Sequence, residues 1–325
     1  PPDEMSWKEW LDRYEKLLKS GRIEFTTFHQ NYAYEDFVEG IRPQVENGVV
    51  KYATEPGIFK KIAYRALYAW LKGDGTPCPI GDDTEEDAAH ELVRRWLKDG
   101  SWGAARTQDP SDEKAPAYVL IIDEINRGNI ARILGELITL LEGSKRARHR
   151  TALGDQPLKV TLPYTRDLFI VPPNLHIIGT MNTADRSLIG LDIALRRRFQ
   201  FVELPPRPEA LSSNVGGVNL RQFLTVLNER IESHLDADHS IGHALFAGLE
   251  SIGQIQDAMI QKVIPLLREY FHDRPEALKA VLEVEGRDHI LQFTGQDRSL
   301  RFKGVNREAL GSPETYRLFI GVKTP

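Results

Sequence analysis

Cysteine is nearly absent: Cys78 stands alone, in a stretch rich in Gly, Pro and Asp. With nothing to pair with, it excludes a disulfide framework or a zinc cluster and fits a reducing, cytoplasmic setting. No run of about 18 apolar residues occurs, and no charged-then-apolar leader, so neither a membrane span nor a signal peptide is expected. A surface basic throughout is missing too. The net charge is -5, so any contact with nucleic acid must be local or come from a partner. There are no internal repeats. Nor does a G-x-x-x-x-G-K-[ST] phosphate loop occur anywhere in the 325 residues. The chain opens Pro1-Pro2 rather than with methionine, and reads as the remainder of a longer protein.

What is present suffices for one large core or two smaller ones. Ser6-Trp7-Lys8-Glu9 reads as a capping box, followed at helical spacing by Trp7, Trp10, Leu11, Tyr14, Leu17 and Leu18. Arg22 to Phe28 reads as a strand, residues 29–43 as a polar-aromatic turn leading into a short helix, and Ile58 to Leu71 as an amphipathic helix. Composition shifts to Gly, Pro, Asp and Thr after Lys72. With a helix at about 87–98, the span 72–116 reads as an insertion on the core. Ala117 to Ile122 is apolar on both faces, as a central parallel strand must be. A helix over 130–141, a hairpin (158–164 with 167–173), a buried strand (175–180), a short helix (192–197) and a further strand (199–204) follow. Beyond Pro208 the pattern is helical. Pro265 kinks one helix or marks its start, and the tail from about Glu283 has no clear period.

Two stretches carry chemistry. The first, AYVLIIDEINRGN (117–129), ends an apolar strand on Asp123 and Glu124. The second, from Leu175 to Leu204, ends another strand on a polar turn (Asn182, Thr183, Asp185, Arg186, Ser187) and then reaches Arg196, Arg197 and Arg198. Acidic and amide-bearing strand tips are the layout of a nucleotide-hydrolysing site at the carboxyl edge of a parallel sheet. Asp123 would hold a hydrated Mg2+ and Glu124 would polarise the attacking water. The bland alternative is an N-cap with a first-turn acid. Asn182 could orient water without adding charge, or simply occupy a tight turn. The arginines could steady charge on a transferring phosphoryl group, one of them in an adjacent subunit, or form a solvated basic face. His29 and Gln30 could face the site, although an aromatic-rich turn is more often packing. His243 could reach the nucleotide or be a core histidine. Lys145, Arg146, Arg148, His149 and Arg150 form a basic patch without the interleaved aromatics of a nucleic-acid surface.

FHQNYAYEDFVEGIRP, IIDEINRGNIARILGELITLLE, GTMNTADRS and DIALRRRF occur here in the order and approximate spacing of the McrB family, which the chain resembles from about Arg22 to Phe271. RRRF alone is shared with other AAA+ branches such as the MoxR group. The resemblance implies an α/β fold: an AAA+ P-loop NTPase-type parallel sheet flanked by helices over residues 1–206, a helical lid over 207–280, and an unassigned tail over 281–325. It makes Asp123 and Glu124 the Walker B pair and Asn182 the sensor-1 residue. Asp185 and Arg186 become nucleotide contacts, and Arg197 and Arg198 inter-subunit fingers. It further implies GTP as substrate with Mg2+, hexameric rings, an McrC-like nuclease partner, and action on DNA in anti-phage restriction. The phosphate loop and its strand should precede Ser6. That strand would lie between those ending at Thr180 and Leu204, so without it the chain alone is expected to bind nucleotide poorly. Two rival readings are an ATP-driven MoxR-like remodeller and a non-hydrolysing scaffold subunit.

Overall fold

A computed structural model of the chain describes residues 5–46, 48–73, 75–80, 83–99, 115–147, 158–182, 193–284, 290–294 and 301–321. Its contacts divide it into two units, Pro1–Phe201 and Val202–Pro325, each with its own hydrophobic core.

The first unit opens with α1 (Trp7–Lys19), whose capping box is complete: Glu9 N–H donates to Ser6 Oγ at 3.4 Å, and Ser6 N–H donates to Glu9 Oε2 at 2.7 Å. The cap satisfies amide groups that the first turn leaves orphaned. No residue of α1 is buried, and Trp7 is 82% exposed. Next come β1 (Ile23–Thr27), the one-turn α2 (Tyr34–Phe37), and an antiparallel hairpin, β2 (Glu39–Glu46) with β3 (Val49–Pro56). α3 (Ile58–Lys72) follows, then α4 (Asp83–Asp99) and β4 (Tyr118–Asp123). A short 3-10 turn leads to α5 (Ile130–Leu134). The chain continues through β5 (Val160–Thr161), β6 (Leu168–Phe169), β7 (Leu175–Gly179) and α6 (Ile193–Arg196).

β1, β4 and β7 make a parallel sheet in the order β1-β4-β7, so the DE-bearing strand is central. Tyr118, Leu120 and Ile122 point into the core. On the other face, Phe25, Ile121 and Ile178 stand in register, and Phe25 and Ile178 are 51% and 52% exposed. α3 is buried on nearly every side rather than amphipathic, carrying Lys60 and Arg65 inward with Phe59, Tyr64 and Trp70. Buried charge requires partners. Lys60 Nζ donates to Glu39 Oε2 (2.7 Å), Asp167 Oδ2 (2.9 Å) and Thr165 Oγ1 (3.2 Å), while Tyr164 and Thr165 amides donate to Glu39 Oε1, both at 3.0 Å. Burial alone would raise the Glu39 carboxyl. The hydrogen bonds from Lys60 and Thr165 outweigh it and hold Glu39 below the usual carboxylate range. This cluster fastens the 160–169 hairpin to α3. An aromatic row, Phe28–Phe37–Phe59–Phe169, fills the space beneath.

Several expectations change. The segment 199–204 forms no strand: among the described residues it joins no sheet ladder, its Phe199 N–H donating back to Leu195 O at 3.3 Å, and Phe201, Val202 and Leu204 are exposed. A strand exists only where a neighbour supplies a hydrogen-bonding ladder. The helix expected over 130–141 breaks at Gly135 (φ 51°) and runs on as a 3-10 helix, Gly135–Leu141. The β2–β3 hairpin has no counterpart among the elements expected above. α4, within the 72–116 span, buries Val93 and Leu97 in the unit's own core.

The second unit is built on α7 (Leu220–His234), with α8 (Ile252–Ala258), a π-helical turn (Met259–Val263), α9 (Ile264–Tyr270) and α10 (Pro275–Val281). Pro265 lies in the first turn of α9, directly after the π turn, where its missing N–H costs least. The tail folds as a hairpin, β8 (Leu291–Thr294) with β9 (Arg301–Val305), and two short helices, α11 (Arg307–Leu310) and α12 (Pro313–Phe319). Its Tyr316 and Phe319 rings pack on Phe223 of α7 at centroid distances of 5.1 and 5.0 Å. Among the described residues no helix is long and apolar enough to cross a membrane.

Candidate functional site

Three chain segments come level at the carboxyl edge of the sheet. The register pairs Thr27 with Asp123 and Ile122 with Gly179, which sets Thr180 beside Asp123. Backbone pairing continues past the strand ends. Phe28 N–H donates to Asp123 O, Thr180 N–H to Ile122 O, and Ile125 N–H to Thr180 O, each at 2.9 Å. The acidic tip and the tip leading to Asn182 are thus stitched together before any side chain is considered.

The side chains add further links. Thr180 Oγ1 donates to Asp123 Oδ1 at 2.5 Å and accepts Glu124 N–H at 3.3 Å. Glu124 holds a left-handed backbone (φ 53°, ψ 44°), a conformation that costs a non-glycine residue about 1–3 kcal/mol and persists where the surroundings enforce it. Its Oε2 lies 3.2 Å from Arg127 Nε. Asn126, buried, donates from Nδ2 to the backbone oxygen of Asn182 at 3.3 Å. Asn182 itself is exposed. Asp185 and Arg186, with Thr183 and Ser187, lie outside the described residues.

The three arginines differ. Arg196 is exposed, its guanidinium 5.8 Å from the Phe201 ring centroid, and Arg197 is exposed as well. Arg198 turns inward: its side chain is 6% exposed, and Nη2 lies 2.9 Å from Glu142 Oε1.

The lesser candidates are placed too. His29, just past β1 and so at the same sheet edge, is exposed and meets Tyr32 edge-on at 5.5 Å; Gln30 is exposed. In the basic patch, Arg146 is spent on carbonyls, donating to Leu175 O at 2.5 Å and Leu141 O at 3.2 Å. Arg148 to Arg150 lie outside the described residues. In the second unit His243 Nδ1 accepts Arg207 N–H at 3.1 Å, which assigns that nitrogen a backbone role.

Three residues at this edge went unread in the sequence: Thr180, Asn126 and Arg127. All stand inside the motifs already singled out. The apolar run 175–180 predicts Thr180 as the last residue of a buried strand, yet it is exposed. A hydroxyl between an apolar strand and a polar turn was the available signal. For a metal, the donor set here is hard oxygen: the half-buried Asp123 carboxylate with the Thr180 hydroxyl beside it. No group of three His, Cys, Asp or Glu side chains forms a cage among the described residues. A Mg2+ that keeps its waters and shares phosphate oxygens needs only one or two carboxylates, so these residues fit it.

Residues 8–199 match the family model of the AAA domain (dynein-related subfamily), and residues 219–279 match that of the McrB alpha-helical lid domain. The chain is 31% identical over 278 residues to the Type IV methyl-directed restriction enzyme EcoKMcrB subunit of Escherichia coli (strain K12), covering 78% of this chain and 48% of that protein. It is 29% identical over 145 residues to the Type II restriction enzyme BsuMI component YdiS of Bacillus subtilis (strain 168), covering 38% of this chain and 41% of that one. The chain therefore spans less than half the length of either relative.

Proposed function

The chain belongs to the AAA domain family and carries the McrB-type lid, and from that premise we propose that it is the motor part of a restriction system, hydrolysing GTP to drive a nuclease partner on DNA. The observation that carries this reading is the joining of the Asp123-Glu124 tip to the Thr180–Asn182 tip at the carboxyl edge of a parallel sheet. The names of both relatives, which are restriction-enzyme components, support the setting.

In this reading Asp123 would hold Mg2+ through its carboxylate, and the ion, when bound, would supply positive charge that offsets the negative charge of the phosphates. Glu124 accepts a proton from the attacking water and so orients it toward the γ-phosphorus. Asn182 fixes the same water by its side-chain amide, with no second negative charge that would repel the phosphate. Asp185 and Arg186 contact the nucleotide. Arg197, exposed, reaches the γ-phosphate of an adjacent subunit in a ring, proposed to be a hexamer. Arg198, paired with Glu142, braces the segment that presents it.

The test is Glu124→Gln in the full-length protein, assayed with GTP and with ATP, with and without an McrC-like nuclease subunit. The variant is expected to bind nucleotide as the parent does and to lose turnover by at least about 100-fold, the scale seen when a preorganised catalytic group is removed. Unchanged turnover would sink the assignment. Hydrolysis of ATP in preference to GTP, indifferent to the nuclease, would favour the MoxR-like remodeller. No hydrolysis by the parent at all would favour the scaffold.

A further inference from the structure

Thr180 is exposed, so its hydrogen bonds compete with water and contribute little to stability. Their geometry is nonetheless specific. A backbone N–H can only donate, so the 3.3 Å contact from Glu124 N–H makes the Thr180 hydroxyl an acceptor there. The single hydroxyl proton is then committed to Asp123 Oδ1 at 2.5 Å. One side chain thereby contacts two groups at once: the Asp123 carboxylate, and the amide of Glu124, whose backbone is left-handed. It does so from the strand that leads to Asn182, so the three groups share one reference point.

We propose that Thr180 is a positioning residue for hydrolysis, whose hydroxyl occupies Asp123 Oδ1 to leave Oδ2 for the cation and tethers the Glu124 amide to fix its carboxylate against the attacking water. The proposal rests on the NTP-hydrolysing reading of the site. Outer partners that orient a metal-ligating carboxylate are worth about 10–100-fold in metal affinity or activity, which sets the expected scale.

The experiment compares Thr180→Val, Thr180→Ser and Glu124→Gln in the full-length protein. Thr180→Val keeps the shape and loses both hydrogen bonds. It is expected to lower turnover by about 10–100-fold and to raise the Mg2+ concentration needed for half-maximal turnover. Its melting temperature and its nucleotide affinity in Mg2+-free buffer should stay at the parent's values. Thr180→Ser restores the hydroxyl and is expected to return most of both losses. The inference is overturned if Thr180→Val keeps parental turnover and Mg2+ dependence, or if Thr180→Ser is as impaired as Thr180→Val. It is overturned as well if the valine variant loses melting temperature and Mg2+-free binding along with turnover, because the role is then structural. An active Glu124→Gln variant would instead condemn the underlying reading of the site, whatever Thr180 does.

Discussion

His90 and Cys78 show what burial does to titratable side chains that the proposed chemistry does not use. Burial pushes the Cys78 thiol up to about 12, which makes it an inert small hydrophobe rather than a nucleophile. Burial pushes the His90 imidazole down to about 4, partly offset by Glu86 nearby. The unfolded chain binds that proton near pH 6.5, so between about pH 6.5 and 4 the unfolded state holds more protons than the folded one. Stability of the first unit should therefore fall as pH drops through that window, by about 3 kcal/mol at the limit. Glu39, held low by Lys60 and Thr165, adds to the loss at the acid end. Thermal melts from pH 7.5 to 4.5 should show a shallower slope for His90→Gln than for the parent. Identical slopes would mean that His90 takes up its proton in the folded state without penalty.

Among elements, the β2–β3 hairpin departs furthest from the sequence pattern, although a turn signal stands in the sequence. Asn47-Gly48 between two eight-residue strands is a strong short-range hairpin signal, and Gly48 has φ 79°. The mixed composition of GIRPQVE hid it, because Pro43 argues against a strand and only an edge strand tolerates it. The hairpin joins α3 at Gly57, which lies against the backbone of α2. A Cβ there would stand 2.4 Å from Phe37 C and 2.6 Å from both Asp36 O and Phe37 O. Gly57 has φ -76°, so close approach rather than backbone conformation demands glycine. Gly57→Ala is expected to destabilise the first unit by about 1–3 kcal/mol, the usual cost of overpacking, read as a lower urea midpoint with unchanged m-value. A neutral result would show that α2 can move aside freely.

At the scale of the molecule, each unit is held by contacts between segments distant in sequence. In the second unit the tail completes the core. Arg230 of α7 donates to Glu283 O at 2.6 Å and Phe319 O at 3.0 Å, with its guanidinium 4.1 Å from the Phe319 ring centroid. Residues 219–279 match the lid family, yet the lid's Phe223 is covered by Tyr316 and Phe319 from beyond that span. Ending the chain after Leu282 should therefore cost the second unit its cooperative melt, since losing one buried aromatic typically costs 3–5 kcal/mol. Calorimetry of the truncated and parent chains decides this. An unshifted transition would show that the tail is ornamental.

The amino-acid order by itself determined what depends on near neighbours: the capped α1, the apolar runs of β4 and β7, and the acidic and amide-bearing ends of those two strands. These follow from hydrogen bonds and periodicities spanning a few residues. Only the tertiary structure decided which tips meet, that Thr180 rather than a strand interior lies between them, and that Arg198 turns to Glu142 while Arg197 stays exposed. It also decided that Lys60 is a buried clamp rather than a solvated charge on an amphipathic helix. The partners in those contacts are separated by 21 to 107 residues. No local pattern encodes a pairing of that span, because its free energy exists only once the sheet has brought both ends together.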